Sequence, residues 1–186
     1  LKTQVGEACD AIIDDADLTE AIKLYNEWRA AMGTFVKLAG ERPVLVSVSA
    51  RNNVVNAGYY MDKAEHLAKV NELNGLLAAE AANTDGFSKI VLSGIFYDIP
   101  AIKEMLDENK YAIVADDIAK ESRAFSLQVP EDGDPIDALL LLTEPTFPGC
   151  LVRARVIAVF WVHDKQGPDA KLLCVPATDP RQLHLQ

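Results

Sequence analysis

Apolar residues in the first third of the chain recur three and four positions apart. Leu18, Ile22, Tyr25, Met32, Val36 and Ala39 keep that spacing, which is the period of one helix face. Asp17-Leu18-Thr19-Glu20 places a capping acid ahead of them with a glutamate three residues on. The pattern predicts a long amphipathic helix that stops at Gly40. Val44 to Ser49 is β-prone but follows Arg42-Pro43, so it reads equally as a strand or as an extended connection into a helical stretch over Asn52 to Met61. Lys63 to Ala82 is rich in Ala, Leu, Glu and Lys and lacks Pro, which predicts a second long helix ended by Asn83-Thr84-Asp85-Gly86.

The period then shortens. Lys89-Ile90-Val91-Leu92 and Tyr111-Ala112-Ile113-Val114-Ala115 read as buried strands on either side of a helix over Ile99 to Asn109. A parallel strand-helix-strand unit puts its working loops at the carboxyl ends of its strands, here Ser93-Gly94-Ile95 and Asp116-Asp117. Asp116, Asp117, Ser122 and Arg123 therefore stand where ligand contacts belong, although a helix cap and a surface ion pair account for them equally. After Pro130 the texture changes to Ala138 to Leu142, Leu151 to Val162 and Leu172 to Val175, short strand-like runs between Gly and Pro turns. The fold class expected is α/β, a helix-rich segment plus the parallel unit, followed by part of a β-barrel. Trp28 and Trp161 fall in apolar patterns and are expected in cores. His66 and His184 have no acid or thiol partner at catalytic spacing, which suggests structural or exposed roles.

Composition narrows the function. With 49% hydrophobic residues among 186, the chain can bury a core as one large domain or two small ones. A net charge of -10 argues against nucleic acid and anionic membranes as partners. The apolar runs fall far below the roughly 20 residues of a membrane helix. Cys9, Cys150 and Cys174 form no C-x-x-C pair, and read as reduced thiols of a cytoplasmic protein. The first residues carry no signal-peptide pattern, and both ends look cut from something longer.

The sharpest chemistry lies in Asp132-Gly133-Asp134-Pro135-Ile136-Asp137 together with Asp164, Asp169 and Lys171. In an extended segment Asp132 and Asp134 share a face. Asp137 would begin the next strand, and Asp164 and Asp169 flank a Gly167-Pro168 turn that could fold back over them. Carboxylates so gathered repel unless a hard cation sits among them, and oxygen-rich clusters suit Mg2+ shared with phosphate oxygens. Two such ions could activate a water, with Asp134 and Lys171 in catalytic roles and Lys171 at a phosphoryl oxygen. An isolated Asp-Gly-Asp is far more often a solvated turn.

The run from Glu131 to Ala138, with Glu144-Pro145-Thr146-Phe147-Pro148-Gly149, Gly167-Pro168-Asp169-Ala170-Lys171 and Val175-Pro176-Ala177-Thr178-Asp179-Pro180-Arg181, resembles family I soluble inorganic pyrophosphatases over residues 132–186. The resemblance implies an OB-like barrel fragment, diphosphate or phosphate as ligand, Asp132, Asp134, Asp137, Asp164 and Asp169 as Mg2+ ligands, and Lys171 as a phosphate contact. The family's glutamate, lysine and arginine on earlier strands, its tyrosines just before this run and its later Tyr-Lys pair have no counterpart here. His163 and Lys165 also replace small hydroxyl and acidic residues beside Asp164. The metal ligands survive, while the diphosphate clamp does not.

Residues 1–131 resemble the smaller subunit of (R)-2-hydroxyacyl-CoA dehydratases, through Glu20 to Met32, Ala57 to His66, Leu92-Ser93-Gly94-Ile95 and Val114 to Phe125. That resemblance implies dehydration of a 2-hydroxyacyl thioester with cysteine-bound iron–sulfur clusters, and a larger partner subunit. The cluster cysteines are missing, since Cys9 alone cannot supply several ligands. The expectation is a composite of two incomplete enzymes, joined near residue 131, that binds Mg2+ with little or no catalysis. The alternatives are a non-catalytic subunit-interaction module and a residual Mg2+-dependent pyrophosphatase.

Overall fold

In the computed structural model, residues 2–140 and the strands 156–162 and 171–176 are described, the last two as backbone. A short helix α1 (Lys2–Cys9) precedes the long α2 (Asp15–Glu41). Its N-cap is Asp14, three residues earlier than Asp17. The Asp14 carboxylate accepts from the Asp17 amide at 2.8 Å and the Asp17 carboxylate accepts from the Asp14 amide at 3.0 Å. Asp17 is thus the far half of a capping box whose near half is the earlier acid.

Ser47 caps α3 (Val48–Ala57), so the β-prone run before it is a turn leading into a helix. Asp62 caps α4 (Lys63–Ala79) by accepting from the amides of Ala64 and Glu65 at 3.0 Å. Helices α2 and α4 pack together, and Trp28, Met32, Phe35, Val36, Val55, Val70, Leu77 and Phe125 form their apolar core. Inside it the Trp28 indole donates to His66 Nδ1 at 2.8 Å, and His66 Nε2–H donates to the Val54 carbonyl at 3.0 Å. Both ring nitrogens are thereby satisfied with the ring neutral. Trp28 and His66 are structural, as their sequence context suggested.

Strand β1 (Ser88–Gly94), helix α5 (Pro100–Glu108) and strand β2 (Tyr111–Ile118) form the expected parallel unit, with register running from Ser88 opposite Tyr111 to Gly94 opposite Ile118. Ile90, Leu92, Ile102, Leu106, Ile113 and Ile118 make its core. Gly40, near the end of α2, lies against β2 so closely that a Cβ there would sit 2.4 Å from the Ile113 carbonyl oxygen.

A short α6 (Ser122–Phe125) follows β2, and the chain then reaches α7 (Pro135–Leu140). The strand expected from Ala138 is therefore a helix as far as Leu140. Its Leu-rich run is ambiguous between the two states, and Asp134-Pro135-Ile136-Asp137 decides it by supplying an N-cap, a Pro at the first helical position and an acid in the first turn. Ala138 packs with Ile22 and Val129 against α2. Strands β3 (Val156–Val162) and β4 (Lys171–Pro176) form an antiparallel hairpin that adds to β1, giving the order β2-β1-β3-β4. The fold is α/β, and no barrel closes among the described residues. No helix there is long and apolar enough to cross a membrane.

Candidate functional site

The carboxyl ends of β1 and β2 open onto a narrow cleft lined by Asn52, Asn56, Phe96, Tyr97, Asp98, Lys120 and Glu121, among others. Beneath it, α3 carries Arg51, which is 3% exposed. Its Nε and Nη2 donate to Glu121 Oε2 at 3.0 and 2.9 Å, Nη1 donates to the Ile113 carbonyl at 3.1 Å, and Nη2 also pairs with Asp116 Oδ2. Asp116 accepts further bonds from the Ile118 amide at 3.2 Å, the Ser122 amide at 3.1 Å and the Ser122 hydroxyl at 2.7 Å. One guanidinium therefore ties α3 to the end of β2 and the start of α6.

Glu121 is 1% exposed; Arg51 holds its Oε2, and the Tyr97 hydroxyl meets the carboxyl group in a contact short of full hydrogen-bond geometry. Burial raises the Glu121 carboxyl above its ordinary value, with Arg51 opposing and Asp116 adding to the rise. Burial likewise pushes the Tyr97 hydroxyl well up, assisted by Glu121. At the cleft wall Asp98 accepts from Lys103 at 2.6 Å and from Asn56 at 2.7 Å, and the Lys103 bond leads in lowering its carboxyl. Asp117 holds Arg123 in a two-point pair at 2.9 and 2.7 Å nearer the surface.

Asp116 and Ser122, flagged in the sequence, thus belong to the buried network, whereas Asp117 and Arg123 form an ion pair at its edge. Arg51, Tyr97, Asp98 and Glu121 escaped sequence reasoning. Arg and Glu are seldom fully buried, and nothing local to Arg51-Asn52-Asn53 marks it as an exception. The available signal was the acid-rich segment from Asp116 to Glu121 directly after a strand.

The acidic run near residue 132 is arranged differently from the expected extended segment. Gly133 takes φ +90°, a conformation open mainly to glycine, and turns the chain into α7. Asp134 Oδ1 accepts from the amides of Ile136 at 2.8 Å and Asp137 at 3.2 Å, so this carboxylate caps the helix. It borders an open groove with Asp15, Thr19, Glu20 and Lys23 of α2. Asp132 is exposed, and Asp137 lies in the first turn of α7. Among the described residues no three Asp, Glu, His or Cys side chains gather as a cation site. Asp164 and Asp169 lie outside those residues, and Lys171 opens β4 as backbone.

The family description "2-hydroxyglutaryl-CoA dehydratase, D-component" matches residues 1–154. The chain belongs to that family. Its first 134-residue likeness, at 45% identity, is to the beta subunit of (R)-2-hydroxyglutaryl-CoA dehydratase of Acidaminococcus fermentans, covering 72% of this chain and 35% of the relative. A second, at 39% over 128 residues, is to the (R)-phenyllactyl-CoA dehydratase beta subunit of Clostridium sporogenes, covering 68% and 34%. The chain spans about a third of the length of these relatives. A separate segment of 56 residues is 64% identical to the inorganic pyrophosphatase of Streptomyces coelicolor, covering 30% of this chain and 34% of that protein. Two families therefore meet in one chain, and the dehydratase D-component match runs past residue 131, through α7.

The described residues do not fit an iron–sulfur cluster: Cys9 is exposed at the end of α1, and no group of three or more Cys, His, Asp or Glu side chains gathers among them.

Proposed function

We propose that this chain is an α/β unit of a 2-hydroxyacyl-CoA dehydratase smaller subunit, non-catalytic by itself, that works by pairing with a larger dehydratase subunit. The observation that carries this reading is the intact parallel unit with its buried Arg51, Asp116 and Glu121 network at the carboxyl strand ends, where α/β proteins place ligands. Mixing the chain with a dehydratase larger subunit should give a stoichiometric complex on size exclusion. Separate elution of two folded proteins would overturn the reading.

The pyrophosphatase likeness favours a second reading for the last third, with a changeover near residue 131. Here Asp132, Asp134, Asp137, Asp164 and Asp169 would hold Mg2+, and Lys171 would face a phosphate oxygen, on a fragment of an OB-like barrel. The missing clamp residues leave little transition-state stabilisation for diphosphate hydrolysis, so Mg2+ binding outlasts catalysis in this account. Residual hydrolysis is tested by phosphate release at saturating Mg2+, where activity at the blank level is expected. The cytoplasm suits both reactions.

A further inference from the structure

The dehydratase match ends at residue 154, and strands β3 and β4 both lie beyond it. They nevertheless extend its sheet. β3 runs antiparallel along β1 from Ile90 opposite Val162 to Gly94 opposite Ala158 without a register shift, and β4 pairs with β3 alone among the described strands. Away from β1, neither strand of the hairpin makes more than marginal contact with the other described elements. The hairpin is attached through the backbone of one strand edge.

Strands β1 and β2 have their own ties. The crossover helix α5 joins them, and backbone bonds bracket their parallel pairing, from the Ser88 amide to the Lys110 carbonyl at 2.9 Å and from the Ala119 amide to the Gly94 carbonyl at 3.0 Å. Ile90 and Leu92 of β1 sit buried in one core with Ile102, Leu106 and Ile113. What β1 would lack with β3 gone is partners for the N–H and C=O groups of its second edge, and such a row is a template for another strand. An antiparallel hairpin joins or leaves that edge without a crossover. Main-chain pairing supplies the affinity in strand addition, so a different extended segment can take the same place.

We propose that the second edge of β1 is a strand-docking site of the dehydratase unit, filled here in cis by the β3–β4 hairpin and open to another extended, antiparallel peptide when the hairpin leaves. The fitting partner is a β-prone segment that spans Ile90 to Gly94, as β3 does. Pairing with a larger subunit is a separate property, and the docking edge exists with or without it.

Hydrogen exchange resolved by residue on the full chain tests this, because the amides of β1 point alternately toward β2 and toward β3. In the unsubstituted chain the β3-facing amides between Ile90 and Gly94 should exchange about tenfold faster than the β2-facing ones, through opening of the hairpin alone. Phe160→Pro removes a ladder amide from β3, an interior strand of the sheet, and should strip protection from the β3-facing amides while the β2-facing ones keep theirs. A peptide of residues 156–162 flanked by lysines, added to that variant, should restore the lost protection saturably, whereas the same peptide carrying Phe160→Pro should not. Uniform exchange along β1 in the unsubstituted chain would overturn the proposal. So would full protection in Phe160→Pro, joint loss of β1 and β2 protection in that variant, or a peptide without effect.

Discussion

At the scale of single residues, burial moves the Glu121 carboxyl and the His66 ring in opposite directions on the pH axis. The Glu121 carboxyl is raised by burial, so folding favours its protonated form. The stability this contributes is complete below the ordinary carboxylate range and is lost as pH rises through the raised value. Glu121→Gln should therefore flatten the decline of melting temperature as pH rises above the ordinary carboxylate range, and a variant with the parent's slope would contradict a raised Glu121. His66 is lowered, first by burial and also by Lys63. Its contribution is present above the ordinary histidine range and lost as pH falls through the lowered value, when a proton on Nδ1 would face the Trp28 N–H. Thermal scans across that window should show acid destabilisation that His66→Asn changes in shape. Asp134 separates two roles cleanly. Asp134→Ala should cost about 1 kcal/mol by removing a cap, whereas Asp134→Asn keeps capping and removes a charge. If the acidic run holds Mg2+, calorimetric Mg2+ uptake should fall in both variants, and uptake unchanged in Asp134→Asn would exclude this carboxylate as a ligand.

At the scale of elements, periodicity carried most of the fold. The long α2, the helix α4 and the strand-helix-strand unit follow from spacing and from breakers, because their apolar faces repeat over enough residues to separate a period of 3.6 from one of 2. Two features were less legible. The α2 start was placed at Asp17 because two acids three apart both resemble caps, and only the reciprocal bonds of Asp14 and Asp17 tell them apart. The Ala138 to Leu142 run gives no period at all, and the helix over Pro135–Leu140 is set by capping chemistry upstream and by Ala138 meeting Ile22 and Val129. The site was the least legible, since a buried Arg51 joined to an acid 70 positions away leaves no trace in local spacing. Close packing of α2 on β2 makes its own forecast. Gly40→Ala would drive a methyl into the Ile113 carbonyl, and denaturant unfolding should show a loss of about 1–3 kcal/mol.

At the scale of the whole molecule, the dehydratase D-component match takes in α7, packed against α2, and a separate segment of the chain is related to inorganic pyrophosphatases. Arg51 ties the first unit together, because it bridges α3, β2 and the start of α6. Arg51→Met would leave two buried acids without a cation and should cost about 3–5 kcal/mol, read as a loss of the cooperative melt or a large fall in its midpoint. Pairing with a larger subunit is the claim on which the functional account turns. Light scattering on a size-exclusion column, with the chain and a dehydratase larger subunit mixed at equal concentration, tests it most directly. A single peak at the summed mass is predicted, and two peaks at the separate masses, from a chain that still melts cooperatively, would contradict it.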